Sequence, residues 1–230
     1  MKPEHIAIIL DGNRRFAKKQ GLEAWRGHEF GAKTVENLIE WAVELELKGL
    51  TLYAFSTENF NRSKIEIDKI MALITKFFAK LMHDERLEKN SIRINFIGNK
   101  SLFSEEIQKS MNTLEEKTKD NSNLTVNFAM GYGGRAEIVD AVKRIAEKAK
   151  AGEIALGSIN EETFLQELYL KEEPDMIIRP GGELRLSNFL PYQSTYSELY
   201  FIEKLWPEMT KEDLAEAMEK FESRERRQGR

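Results

Sequence analysis

Asp11-Gly12-Asn13-Arg14-Arg15 places a carboxylate, a glycine, an amide and two guanidinium groups directly after an apolar run. A glycine lets a backbone come close to a ligand, and free N–H groups at the start of a helix donate to anionic oxygen. Asp11 would repel a phosphate unless a cation lay between them. Mg²⁺ resolves that conflict, because it takes oxygen from one carboxylate and from substrate phosphates. Arg15 adds a fixed fork of donors. The plain alternative is helix capping, since Asp and Asn accept bonds from the free N–H groups of a first turn.

A second such segment is Arg179-Pro180-Gly181-Gly182-Glu183-Leu184-Arg185-Leu186-Ser187-Asn188. Arg179 and Arg185 with Ser187 suit a second diphosphate clamp, or else form a glycine turn with solvated arginines. The run lacks the Gly-Lys-Ser/Thr ending of a P-loop. Gly131-Tyr132-Gly133-Gly134-Arg135 is likewise too short for a dinucleotide fingerprint. His28 and Glu198 are isolated, and their default roles are structural and surface. His5, His28 and His83 are too few and too scattered for a histidine metal cluster. With no cysteine in the chain, any metal is a hard ion held by oxygen.

The elements that must position these groups follow from the apolar pattern. Buried strands are expected at Ile6–Leu10, Leu50–Phe55, Ile92–Ile97, Leu124–Ala129, Met176–Ile178 and Leu199–Phe201, with helical spacing between them. That alternation implies an α/β fold, a mainly parallel six-stranded central sheet flanked by helices. No linker divides the chain, so residues 1–230 read as one domain, loosest over 150–161. Ligands of such sheets bind beyond the carboxyl ends of the strands, where both arginine-bearing segments and Ser56-Thr57-Glu58-Asn59-Phe60-Asn61-Arg62 fall. A helix over 65–87 carries Ile67, Ile70, Ile74, Phe77, Phe78 and Leu81, more than one packing face needs. It is either plain core or core plus the wall of a greasy ligand channel.

The 35 Lys+Arg against 39 Asp+Glu, a net charge of −4, argue against a nucleic-acid partner. No apolar run approaches the roughly 18 residues of a membrane span. The start lacks the regions of a signal peptide, so the expected location is the cytoplasm.

The segments together resemble the cis-prenyltransferases, the family of the bacterial undecaprenyl diphosphate synthases. The likeness lies in 5–13, 51–62, 127–135, 175–183, Glu198-Leu199-Tyr200-Phe201 and Arg224-Glu225-Arg226-Arg227. It implies a homodimeric enzyme with a hydrophobic tunnel between sheet and helices. Such an enzyme condenses isopentenyl diphosphate repeatedly onto an allylic diphosphate, farnesyl diphosphate being the expected primer. The implied product is a long cis-polyprenyl diphosphate, the precursor of the cell-wall lipid carrier, released at a peripheral contact with the inner face of the membrane.

By the same resemblance Asp11 holds Mg²⁺ and the allylic leaving group. Gly12, Asn13, Arg14 and Arg15 line that diphosphate, with Phe16 and His28 nearby. Ser56, Thr57, Glu58, Asn59, Phe60 and Arg62 border the reacting centre, where Asn59 orients a diphosphate oxygen that takes the proton. Arg179, Arg185, Leu186 and Ser187 bind isopentenyl diphosphate. Glu198 joins the metal site across the dimer, and Arg227-Gln228-Gly229 reaches a neighbouring site. Departures from the family pattern are Arg14 for Gly, Phe16 and Phe60 for Trp, Leu184 for His, and Ala24 for an arginine whose place Arg26 is expected to take. A non-catalytic dimer subunit, which tends to lose the catalytic Asp, and a sensor of phosphorylated metabolites are the competing readings.

Overall fold

Apolar runs rich in isoleucine, buried on both sides, form parallel strands because only crossover helices can connect them and cover both faces. The computed structural model describes residues 2–223. In chain order its main elements are β1 (His5–Ile9), α1 (Asn13–Lys19), α2 (Gly27–Glu44), β2 (Gly49–Ser56), α3 (Lys64–Met82), α4 (Arg86–Lys89) and β3 (Ile92–Ile97). They continue with α5 (Glu105–Thr118), β4 (Leu124–Tyr132), α6 (Gly134–Lys150), α7 (Glu161–Gln166), β5 (Met176–Pro180), β6 (Glu198–Ile202) and α8 (Lys211–Ser223). All six expected strands are present. They form one sheet of order β3-β4-β2-β1-β5-β6, parallel at every pairing.

Alternating residues of each strand feed different cores. Ile6, Ile8, Leu50, Leu52, Phe96 and Phe128 join the larger cluster with Leu38 of α2, Phe78 of α3 and Leu114 of α5. Ala7, Ile9, Ala129, Ile177 and Phe189 build a smaller cluster on the other face. The chain leaves β1 towards β2 on one side and leaves β5 towards β6 on the other. The β1/β5 boundary is therefore the switch point of the sheet, where a crevice opens beyond the strand ends. Asp11 and Arg179 stand on its two sides.

The helix expected over 65–87 is shorter. α3 begins after Ser63, whose hydroxyl accepts from Glu66 N, and it stops at Met82. Asp84 takes the backbone N–H and the guanidinium of Arg86, starting the separate turn α4 instead of continuing the helix. Among the described residues no helix is long and apolar enough to cross a membrane.

Candidate active site

Gly12 makes the bend from β1 into α1. Its φ of 108° is left-handed, and a Cβ there would lie 2.9 Å from the Cβ of Leu205. The capping expectation fails: Gly12 is the N-cap and no side chain caps α1. Asn13 instead donates from Nδ2 to Leu10 O at 3.0 Å. α1 sits close on α2 because Gly27 and Gly31 leave room; a Cβ on Gly27 would lie 1.8 Å from Asn13 O.

The Asp11 carboxylate is thereby free to face the crevice. Its Oδ2 accepts from Arg179 Nη2 at 2.8 Å, and its Oδ1 lies 3.2 Å from Arg15 Nη2. Arg179, 4% exposed, also donates from Nη1 to Ser187 Oγ at 2.8 Å and to the carbonyl of Arg185. Arg15 Nη1 donates to Gly181 O at 2.6 Å. One network thus joins Asp11, Arg15, Arg179 and Ser187. The Arg185 side chain turns outward to Glu183.

Across the mouth lies a second group. Arg62 Nη1 donates to Glu66 Oε1 at 3.1 Å and is 3.2 Å from His28 Nε2. A guanidinium only donates, so His28 accepts through Nε2. Burial, reinforced by Arg62 and Arg14, pushes His28 down to about 4, and the ring is neutral at pH 7. Arg14 Nε stands 3.6 Å from the same Glu66 oxygen. Asn59 Oδ1 accepts from Ser56 N at 3.1 Å, which fixes the amide over the turn after β2. Glu58 is held below the usual carboxylate range. Burial pushes it up, but bonds from Asn188, its own backbone and Thr57 outweigh that.

Several of these groups line a cavity of about 610 Å³ between the sheet and helices α2 and α3. Asp11, His28, Asn59, Arg62 and Ser187 line its mouth, while Val35, Ile70, Leu73, Ile74, Phe77 and Phe128 line its depth. A neighbouring cavity of about 590 Å³ shares Asp11, His28 and Arg62 and adds Arg14, Arg15, Lys18 and Ala24. Arg26 does not line it. Its guanidinium lies 3.6 Å from Glu29, and Lys18 faces the cavity beside Ala24.

Three other residues expected at the ligand make packing contacts in this structure. Phe16 meets Phe30 at a tilt of 56°, with centroids 5.1 Å apart. Phe60 meets Phe55 and Phe103. Leu186 packs on the cluster of Phe189 and Leu190. None of the three lines either cavity. Glu198 opens β6 in register with Met176, itself paired with Ile6, so it lies at the sheet end opposite Asp11. A single chain does not bring the two acids together. Arg227-Gln228-Gly229 lies outside the described residues.

Among the described residues no three His, Asp or Glu side chains gather to hold a metal. Asp11 nevertheless suits Mg²⁺: a half-exposed carboxylate at a cationic rim is one hard ligand, with diphosphate oxygens supplying others. Sequence reasoning did not single out two residues that bond to the cavity's polar lining. Glu66 was signalled by its position four after Arg62 on a helix. Asn188 closes the Arg179 segment, but no local signal points to its partner Glu58, 130 positions away.

Comparison with known proteins agrees with this arrangement. A family model described as "Putative undecaprenyl diphosphate synthase" matches residues 9–229. Proteins from Thermoplasma volcanium and Pyrococcus horikoshii, each named tritrans,polycis-undecaprenyl-diphosphate synthase (geranylgeranyl-diphosphate specific), are similar. The first is 47% identical over 100% of this chain and 90% of its own length. The second is 45% identical over 99% of this chain and 87% of its own length. The crystal structure of lavandulyl diphosphate synthase from Lavandula x intermedia, in complex with dimethylallyl diphosphate, superimposes with a TM-score of 0.95. It shares 36% identity over 100% of this chain and 99% of that one. Sequence match and shared fold run the length of the chain, and it belongs to the cis-prenyltransferase family, a family of prenyl diphosphate-joining enzymes.

Proposed function

We propose that this prenyltransferase condenses isopentenyl diphosphate head to tail onto an allylic diphosphate, repeatedly and with cis geometry. The observation that carries this reading is that Asp11 and Ser187 line an apolar cavity while both bond the buried guanidinium of Arg179. In each round C4 of isopentenyl diphosphate bonds to C1 of the allylic partner. The C1–O bond breaks, diphosphate departs, and a proton leaves C2 as the new double bond forms.

Arg179 and Ser187 bind the isopentenyl diphosphate, with Arg185 swinging in from the surface. Gly12, Asn13, Arg14 and Arg15 bind the allylic diphosphate, joined by Lys18 beside Ala24. Charge builds on the departing oxygens, so these donors act most strongly in the transition state. Asp11 would hold Mg²⁺, which supplies positive charge to the leaving diphosphate. Neutral His28 and Glu66 keep Arg62 aimed at the reacting centre. Asn59, a neutral amide, orients a diphosphate oxygen that accepts the proton. The lengthening chain enters the cavity at about 0.8 kcal/mol per buried CH₂.

The archaeal relatives' names favour geranylgeranyl diphosphate over farnesyl diphosphate as primer, and an undecaprenyl product. Glu198 would serve a metal site only from a second subunit of a homodimer. The enzyme works in the cytoplasm and meets the membrane when it hands over its lipid product, a carrier-lipid precursor. Retention of Asp11 favours a catalytic chain over a non-catalytic subunit.

The test is incubation of the pure protein with labelled isopentenyl diphosphate, Mg²⁺ and either primer, reading chain length and double-bond geometry. Long cis products, made faster from geranylgeranyl diphosphate, support the reading. Only trans products, or no condensation with either primer, overturn it.

A further inference from the structure

The loops after three different strands meet at one side chain. Asn188, in the loop after β5, donates from Nδ2 to Glu58 Oε1 at 2.9 Å in the turn after β2. Its Oδ1 accepts from Arg135 N at 2.9 Å, and its carbonyl accepts from Gly134 N at 2.9 Å, both after β4. Room for this junction comes from two glycines. A Cβ on Gly133 would lie 2.7 Å from Thr57 Oγ1 and 3.1 Å from Asn188 Nδ2, and one on Gly134 would lie 2.0 Å from Pro191 Cδ.

The backbone here is held away from its preferred conformation. Ser187, Asn188 and Leu190 have φ of 50°, 66° and 47°. Left-handed conformations cost free energy at residues other than glycine and persist where surrounding bonds hold them. The bonds of Asn188 do that, with Tyr53 OH donating to Ser187 O at 3.4 Å. The residue before Asn188 is Ser187, which shares the Arg179 guanidinium with Asp11. The residue after Glu58 is Asn59. The Asn188–Glu58 bond therefore connects the Arg179–Ser187 clamp to the turn that carries Asn59.

Resting on the condensation reading above, we propose that Asn188 is a positioning residue for that reaction. Its amide sets the distance between the isopentenyl clamp and the Asn59 turn, and hence the approach of the two reacting carbons. Misplacing bound reactants by about an ångström can cost on the order of a hundredfold in rate while both still bind. Loss of this tie should accordingly fall on kcat.

The polarity of the bond gives a test that a purely structural role would not pass. Asn188→Asp keeps the acceptor for Arg135 N but sets a carboxylate against Glu58. We expect kcat to drop about tenfold or more, with KM for isopentenyl diphosphate changed less than about threefold. Adding Glu58→Gln reverses donor and acceptor and re-forms the bond. The double variant should recover to within about threefold of Glu58→Gln alone. Asn188→Gly, which tolerates the positive φ, should show the same loss in kcat with thermal unfolding close to wild type, separating the lost amide from backbone strain.

Wild-type kcat in folded Asn188→Asp or Asn188→Gly would overturn the inference, as would losses in the double variant that simply multiply. Both outcomes leave the condensation reading standing if the wild-type protein makes cis-polyprenyl products. Absence of any condensation by wild type would remove both.

Discussion

The nearly enclosed guanidinium of Arg179 is held by Asp11, 168 positions earlier in the chain, through a 2.8 Å bond to Oδ2. Adjacent parallel strands β1 and β5 end side by side, so the carboxylate proposed to hold a metal and the guanidinium proposed to bind isopentenyl diphosphate are ion-pair partners. Each neutralises the other in the crevice.

That pairing separates two ways of removing Asp11. Asp11→Ala should lower kcat by a hundredfold or more, roughly 3 kcal/mol of transition-state stabilisation. It also strips a buried guanidinium of its counter-charge, so the unfolding midpoint in urea should fall as well. Asp11→Asn keeps an acceptor for Arg179 Nη2 and should retain more of the stability while losing the activity. Near-normal turnover by pure Asp11→Asn would count against the metal role.

Arg179 bridges three acceptors, and an ammonium cannot reproduce that fork. Arg179→Lys should raise KM for isopentenyl diphosphate by about tenfold or more, with a smaller effect on the allylic substrate. Steady-state kinetics with each substrate varied in turn decides it. An effect confined to the allylic diphosphate would reverse the assignment of the two sites.

Leu73 lines the deep part of the cavity, whereas Ala72, the next residue back on α3, is exposed. Leu73→Trp should shorten the polyprenyl product, and Ala72→Trp should leave its length unchanged. Thin-layer or mass analysis of the products reads both. Equal lengths from the two variants and wild type would make the cavity irrelevant to elongation.

Two half-buried histidines make stability depend on pH. Burial pushes both His5 and His28 down to about 4; nearby Asp175 partly opposes this at His5. Their unfolded value is about 6.5. Between these values the unfolded chain binds protons that the folded chain refuses, so stability should fall as pH drops from about 6.5 to about 4. Each histidine contributes up to about 3 kcal/mol of that loss. Urea melts at several pH values should show it, and His28→Gln should flatten the dependence. A His28→Gln profile parallel to wild type would refute the assignment.

Much of the framework was legible in the linear chain. Short apolar runs named all six strands, and strand–helix alternation implied the parallel sheet, because strands covered by helices on both faces read as apolar runs. Residue chemistry likewise marked Asp11, Arg15, Arg62, Arg179 and Ser187. These are local properties, readable from a residue and its near neighbours. The end of α3 was less legible, because Asp84 stops the helix through bonds that apolar periodicity does not register.

Tertiary structure decided which of those groups meet. The order β2-β1-β5 brings Asp11 to Arg179 and sends Glu198 to the far end of the sheet. It sets Phe16 against Phe30 and Phe60 against Phe55, pairs Arg26 with Glu29, and joins Asn188 to Glu58. Sequence spacing carries the periodicity of one strand or one helix. Contacts between loops at the ends of different strands depend on sheet order and register, which arise only when the whole chain closes around its core.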